Sequence, residues 1–84
     1  MNGFLKKALR YKATHRGLKE SDVLLATFVD KYLEALNPDE SLCFERFLKE
    51  SDQDILAWII RQETPPKEYV WITELMRNQP SYAF

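Results

Sequence analysis

A chain of 84 residues, 45% hydrophobic and 30% charged with a net charge of −1, has the size and composition of one small globular domain. A single cysteine, Cys43, excludes an internal disulfide and suits a reducing compartment, and with one histidine, His15, far from it in sequence there is no set of ligands for zinc. No run approaches the roughly 20 apolar residues that span a bilayer, so neither a membrane segment nor a secretory signal is expected.

The start, MNGFLKKALRYK, is basic and free of acids like a transit peptide, but it is short and poor in serine. It reads as mature protein in a bacterial cytoplasm. Residues 1–19 carry Lys6, Lys7, Arg10, Lys12, Arg16 and Lys19 with no acid, whereas residues 20–84 carry a balance of −7. The first segment is therefore a cation on an anionic body: it either lies across that body and satisfies its charge there or meets a partner.

Apolar residues recur at helical spacing throughout, with no alternation of period two, which predicts five helices and no strand. The first runs from about Phe4 to His15, with Leu5, Ala8, Leu9 and Lys12 on one face and Lys6, Lys7 and Arg10 turned away. Gly17 then supplies the residue that accepts positive φ beyond a helix end. The second helix spans about Glu20 to Leu36, and its wide stripe of Leu24, Leu25, Phe28, Val29, Tyr32, Leu33 and Leu36 makes it the central one. In LNPDE, Asn37 caps a third helix, Pro38 fits its first position, and Asp39 and Glu40 suit its positive end. Leu42, Cys43, Phe44, Phe47 and Leu48 point inward from it.

Ser51 with Asp54 three residues on opens a short fourth helix carrying Ile55, Leu56, Trp58, Ile59 and Ile60. Pro65 and Pro66 break the chain and launch a fifth, with Tyr69, Val70, Ile72, Leu75 and Met76 as its apolar positions. Residues 78–84 read as a loose tail. The whole, residues 1–84, is a single all-α domain.

Little here can carry chemistry. A nucleophile needs a base within reach and a third group orienting it, and with His15 as the lone histidine no catalytic set can be named. His15 reads as a surface or partner-facing residue, Cys43 and Trp58 as core. With Gly3 and Gly17 the only glycines, no phosphate-cradling loop exists. Lys6, Lys7, Arg10, Lys12 and Arg16 could line phosphates with Tyr11 stacking on a base, but the chain as a whole is slightly acidic, which argues against nucleic acid.

What remains is RGLKE, residues 16–20. It is in part a helix stop and start, with Glu20 favourably placed near a helix N-terminus and Arg16 able to pair with Glu20 across the corner. Neither residue needs burial for the fold, so the corner is also a candidate recognition surface.

The stretch LRYKATHRGLKESDVLLATFVDKYLEALNPDE resembles the succinate dehydrogenase assembly factor family, small helical proteins that promote covalent flavin attachment to the flavoprotein subunit of that enzyme. The hallmark R-G-x-x-E is matched by Arg16, Gly17 and Glu20, followed by Asp22 and Phe28. Further on come Glu40, then Phe44 to Leu48, then Asp52, Asp54 and Trp58. The hallmark alone recurs by chance; the ordered set, over about residues 5–60, is the specific signal. Ser21 departs from the pattern, standing where the family usually has an apolar residue.

The resemblance implies a five-helix assembly factor rather than an enzyme. Its partner would be the succinate dehydrogenase flavoprotein subunit, with fumarate reductase as a second candidate client. FAD would belong to the client, with no cofactor stably bound here, and the factor would act as a monomer. Arg16 and Glu20 would make direct polar contacts with the client, Gly17 would permit close approach of the backbone, and His15, Asp22 and Tyr11 would support them. The alternative is a small regulatory protein of antitoxin-like or nucleic-acid-binding type.

Overall fold

The computed structural model describes residues 3–77, with side chains from residue 6 onward. The expected tail, residues 78–84, lies outside them. Among the described residues there are five α-helices and no strand: α1 (Gly3–Thr14), α2 (Lys19–Tyr32), α3 (Pro38–Phe47), α4 (Asp52–Ile59) and α5 (Val70–Arg77). Single 3-10 turns extend α2 at its C-terminal end (Leu33–Ala35) and lead into α5 (Lys67–Tyr69).

The start signals act where the sequence places them. Asn37 and Glu40 form a reciprocal capping box on α3, with Asn37 Oδ1 accepting from the Glu40 N–H at 2.8 Å and Glu40 Oε1 accepting from the Asn37 N–H at 2.9 Å. Ser51 Oγ accepts from the Asp54 N–H at 3.1 Å and starts α4. The α4 end is less regular. Gln62 takes a left-handed conformation (φ 56°) where glycine is the usual solution, so that the Glu63 N–H reaches back to the Ala57 carbonyl. Arg77 on α5 then covers that end, donating from Nε to the Trp58 carbonyl at 3.0 Å and from Nη2 to that of Glu63 at 3.1 Å.

The core is a chain of aromatic rings linking α2, α3, α4 and the turn before α5. Phe28 meets Phe44 at 4.9 Å between centroids, Phe47 meets Trp58 at 5.9 Å, and Tyr69 sets its edge against Phe47 at 5.3 Å. Leu9, Leu25, Ile55, Ile59, Ile72 and Met76 complete it. Cys43 is buried, its thiol turned to the Glu68 carbonyl. The same burial pushes the Tyr69 hydroxyl up to about 12, helped by the hydrogen bond that it donates to Glu50 Oε2 at 3.1 Å.

Three details differ from the sequence reading. On α1 Leu9 and Ala13 are buried and the Lys6 side chain is nearly so, whereas Lys12, expected on the inward face, is exposed; the side chain of Leu5 lies outside the described ones. With so few apolar residues the periodicity fixes that face only loosely, and a lysine stem can cover apolar surface as well as a leucine can. Leu42 and Ile60, expected inside, are 48% and 42% exposed. Leu42 lies about 200° around the helix from Phe44, and Ile60 sits at the C-terminal cap of α4, past the last buried turn.

Candidate functional site

Ion pairs fix how α1 lies on α2. Lys6 pairs with Glu34 at 3.8 Å, Arg10 with Asp30 at 2.5 Å, and the Arg16 N–H donates to Asp22 Oδ1 at 3.1 Å. As one helix ascends the other descends, so the two form an antiparallel hairpin whose corner is residues 15–18. Lys12 adds a pair with Glu45 on α3 at 3.7 Å. Four of the six cations in the basic segment are thus met by acids of the body, and Lys7 and Lys19 remain without a pair among the described residues. The lopsided charge serves mainly to lay α1 down, and the row of phosphate contacts considered from sequence is mostly engaged within the molecule.

Arg16 is the largest departure from expectation. Its side chain is only 12% exposed and turns inward, away from Glu20. Nε donates to Asp52 Oδ1 at 2.6 Å, Nη2 to the Glu50 carbonyl at 2.6 Å, and Nη1 to the Leu48 carbonyl. Leu48 and Glu50 follow the end of α3, where helix carbonyls have no partner of their own, and Asp52 opens α4. One planar guanidinium therefore satisfies the junction of two other helices, a task its forked donors suit and a lysine ammonium does not. The expectation that Arg16 needs no burial, and that it pairs with Glu20, is corrected on this geometry.

Asp52 Oδ1 also receives the Ser21 hydroxyl at 3.0 Å. Ser21 is fully buried, and its oxygen lies 3.0 Å from the Leu18 carbonyl as well. A leucine at this position could make neither contact. Asp22, by accepting the Arg16 N–H, is engaged in the corner too and is only half-exposed.

Outward from this network lie the remaining candidates. Gly17 takes φ +95°, and a Cβ built there would meet nothing within 4 Å. Its need for glycine is thus one of backbone conformation, with open space in front of it. Glu20 is exposed and makes no hydrogen bond or ion pair with any described residue. Tyr11, 65% exposed, stacks on His15 with ring centroids 4.1 Å apart and planes 12° from parallel. His15 Nδ1 lies 3.0 Å from the Tyr11 carbonyl. The same nitrogen lies 3.1 Å from Thr14 Oγ1, and Nε2 has no partner among the described residues.

The six candidates divide accordingly. Tyr11, His15, Gly17 and Glu20 face outward at one corner, while Arg16 and Asp22 hold that corner from within. Asp52 and Ser21 belong to the same arrangement and were missed. The sequence signals were there, an acid at the start of α4 and a serine breaking the family pattern, but neither says that the two meet on one oxygen atom.

The structure is thus a helical domain with a filled aromatic core and a polar corner held from within by Arg16, Ser21 and Asp52. The chain belongs to the family described as the flavinator of succinate dehydrogenase, whose model matches residues 7–79. It is 41% identical over 64 residues to succinate dehydrogenase assembly factor 2, mitochondrial, of Aspergillus flavus, covering 76% of this chain and 21% of that one. It is 36% identical over 74 residues to assembly factor 2-B, mitochondrial, of Drosophila ananassae, covering 86% and 44%. With the Drosophila grimshawi factor it shares 35% over 79 residues, covering 90% and 54%.

The chain thus spans from a fifth to about half of the length of these relatives. No solved structure gives a significant match. The relatives are named as assembly factors, not enzymes, in keeping with the expectation from sequence. They are also named as mitochondrial, which overturns the bacterial cytoplasmic location expected above.

Proposed function

We propose that this protein binds the flavoprotein subunit of succinate dehydrogenase and promotes covalent attachment of FAD to it. The reading draws on the family, and the observation that carries it is the corner itself. Glu20 stands exposed and unpaired one helical turn from Gly17, whose missing side chain leaves the backbone open to close approach. Tyr11 and His15 offer a flat ring surface and one ring nitrogen beside the same turn.

The chemistry of flavin attachment belongs to the cofactor and to the client residue that becomes joined to it, and a helper contributes orientation. By binding the competent form of the client more tightly than other forms, the factor raises its population and then departs. It acts as a monomer without resident flavin, and the fumarate reductase flavoprotein is a second candidate client. In this reading Glu20 touches the client directly, with Tyr11, His15 and Gly17 around it, while Arg16 and Asp22 act from inside.

The test is Glu20→Ala in cells lacking their own factor. Because Glu20 is exposed and unpaired, the variant should accumulate normally and melt within about 1 kcal/mol of the parent stability. Covalent flavin on the dehydrogenase subunit, read as in-gel fluorescence, should fall sharply. Undiminished fluorescence with Glu20→Ala would remove this residue from the contact, and a pull-down that recovers no flavoprotein would overturn the reading as a whole.

A further inference from the structure

The turn between α1 and α2 pivots on Gly17, which takes φ +95°, a conformation that glycine adopts without strain. A glycine pivot by itself would leave Glu20 poorly aimed relative to α1. The structure holds both sides of the pivot with one atom. On the N-terminal side, Arg16 Nε donates to Asp52 Oδ1 at 2.6 Å; on the C-terminal side, Ser21 Oγ, next in sequence to Glu20, lies 3.0 Å from that same oxygen.

Ser21 is fully buried, the Arg16 side chain nearly so and Asp52 26% exposed, so solvent screens these contacts only in part. The serine proton has two acceptors in range, Asp52 Oδ1 and the Leu18 carbonyl. The charged one makes the stronger bond. We propose that Asp52 and Ser21 are positioning residues for the partner surface, clamping residues 16 and 21 to a single carboxylate oxygen and thereby fixing the direction of Glu20.

This rests on the reading that the corner meets the flavoprotein. It adds a residue of α4 to the working parts of a motif carried by the α1–α2 turn and the start of α2, and it gives Ser21 a use in place of a mere departure from the pattern. Neither residue touches the client. Their effect passes through Arg16 and Glu20.

Two measurements test it. In the free protein, backbone amide spectra of Asp52→Ala and Ser21→Ala should show shifted or broadened signals for residues 17–20. Asp54→Asn, which removes a charge from the same first turn of α4 without touching Arg16, should leave them in place. With apo flavoprotein, at a temperature where every variant is fully folded by circular dichroism, Asp52→Ala should weaken binding about tenfold or more, as expected when a charged contact loses its geometry. Ser21→Ala should weaken it severalfold, and Asp54→Asn not at all. Asp52→Asn keeps an oxygen for both donors and should recover part of the loss, which keeps the test open if Asp52→Ala folds poorly.

Parent protein that binds flavoprotein while Ser21→Ala and Asp52→Asn bind equally well, with unshifted corner signals, overturns this inference alone. Parent protein that binds no flavoprotein overturns the proposed function along with it.

Discussion

Truncating Arg16 to alanine should threaten the fold itself. The side chain is 12% exposed and serves three acceptors, one of them the Asp52 carboxylate, itself 26% exposed. A hydrogen bond to a charged group contributes about 1.5–3 kcal/mol, and a carbonyl left without its donor loses about 1 kcal/mol more where water cannot replace it. Water can reach Asp52 in part, which trims the total to about 3 kcal/mol. A domain of this size has roughly 3–5 kcal/mol in hand, so Arg16→Ala should sit near the edge of folding. At about 4–8 °C per kcal/mol for so short a chain, its melting temperature should fall by roughly 12–24 °C.

Arg10→Ala is the control. Its pair with Asp30 is equally close but 44% and 71% exposed, and its loss should cost under about 1 kcal/mol. Arg16→Lys should recover only part of the loss, because an ammonium cannot fork to three acceptors. Thermal melts by circular dichroism at pH 7 decide the matter. If Arg16→Ala melts as close to the parent as Arg10→Ala does, the guanidinium is not holding the helix junction and the reasoning fails. If the large loss is found, absent flavinylation in Arg16→Ala speaks of lost structure as much as of a lost contact, and Glu20→Ala becomes the cleaner probe of the surface.

Other expectations follow from single residues. Gly17→Ala should lose about 1 kcal/mol from positive φ alone, since a Cβ there meets no atom, and Gly17→Asn should lose less. If the corner is a contact, flavinylation should stay low in Gly17→Asn while its melting temperature recovers; recovery of both would limit Gly17 to a structural role. Gln62→Gly should raise the urea midpoint by about 0.5–1 kcal/mol of stability, because glycine adopts φ 56° without strain. No change would mean that glutamine sits there at no cost.

Tyr69 gives a pH dependence whose sign is fixed. Its hydroxyl is pushed up to about 12, so between pH 10 and 12 the unfolded chain releases a proton that the folded one keeps. Its contribution is intact below pH 10 and is lost as pH rises toward 12. Urea unfolding at pH 9 and 11.5 should show a smaller fall for Tyr69→Phe than for the parent, and equal falls would refute the burial argument.

Local signals in the chain were sufficient for most of the architecture. Asn37, Pro38 and Glu40 start α3, and Ser51 with Asp54 starts α4, through contacts within four residues that any environment leaves intact. Positive φ at Gly17 was legible for the same reason: a helix must stop there, and only glycine turns the chain cheaply. The apolar stripes located the core to within the width of a helix face, and missed at Lys12, Leu42 and Ile60, where that width is the whole question.

What the sequence by itself determined was the set of helices, their caps and the existence of an exposed corner. Only the tertiary structure decided which way Arg16 points. Arg16 and Glu20 are four residues apart and of opposite charge, and seen locally they should find each other. The partner that Arg16 takes, Asp52, is 36 residues away, joined by two carbonyls that no side-chain pattern displays. A nearly buried guanidinium goes where its donors can all be satisfied at once. Packing α3 and α4 against the first hairpin creates that place, and Glu20 is left facing solvent.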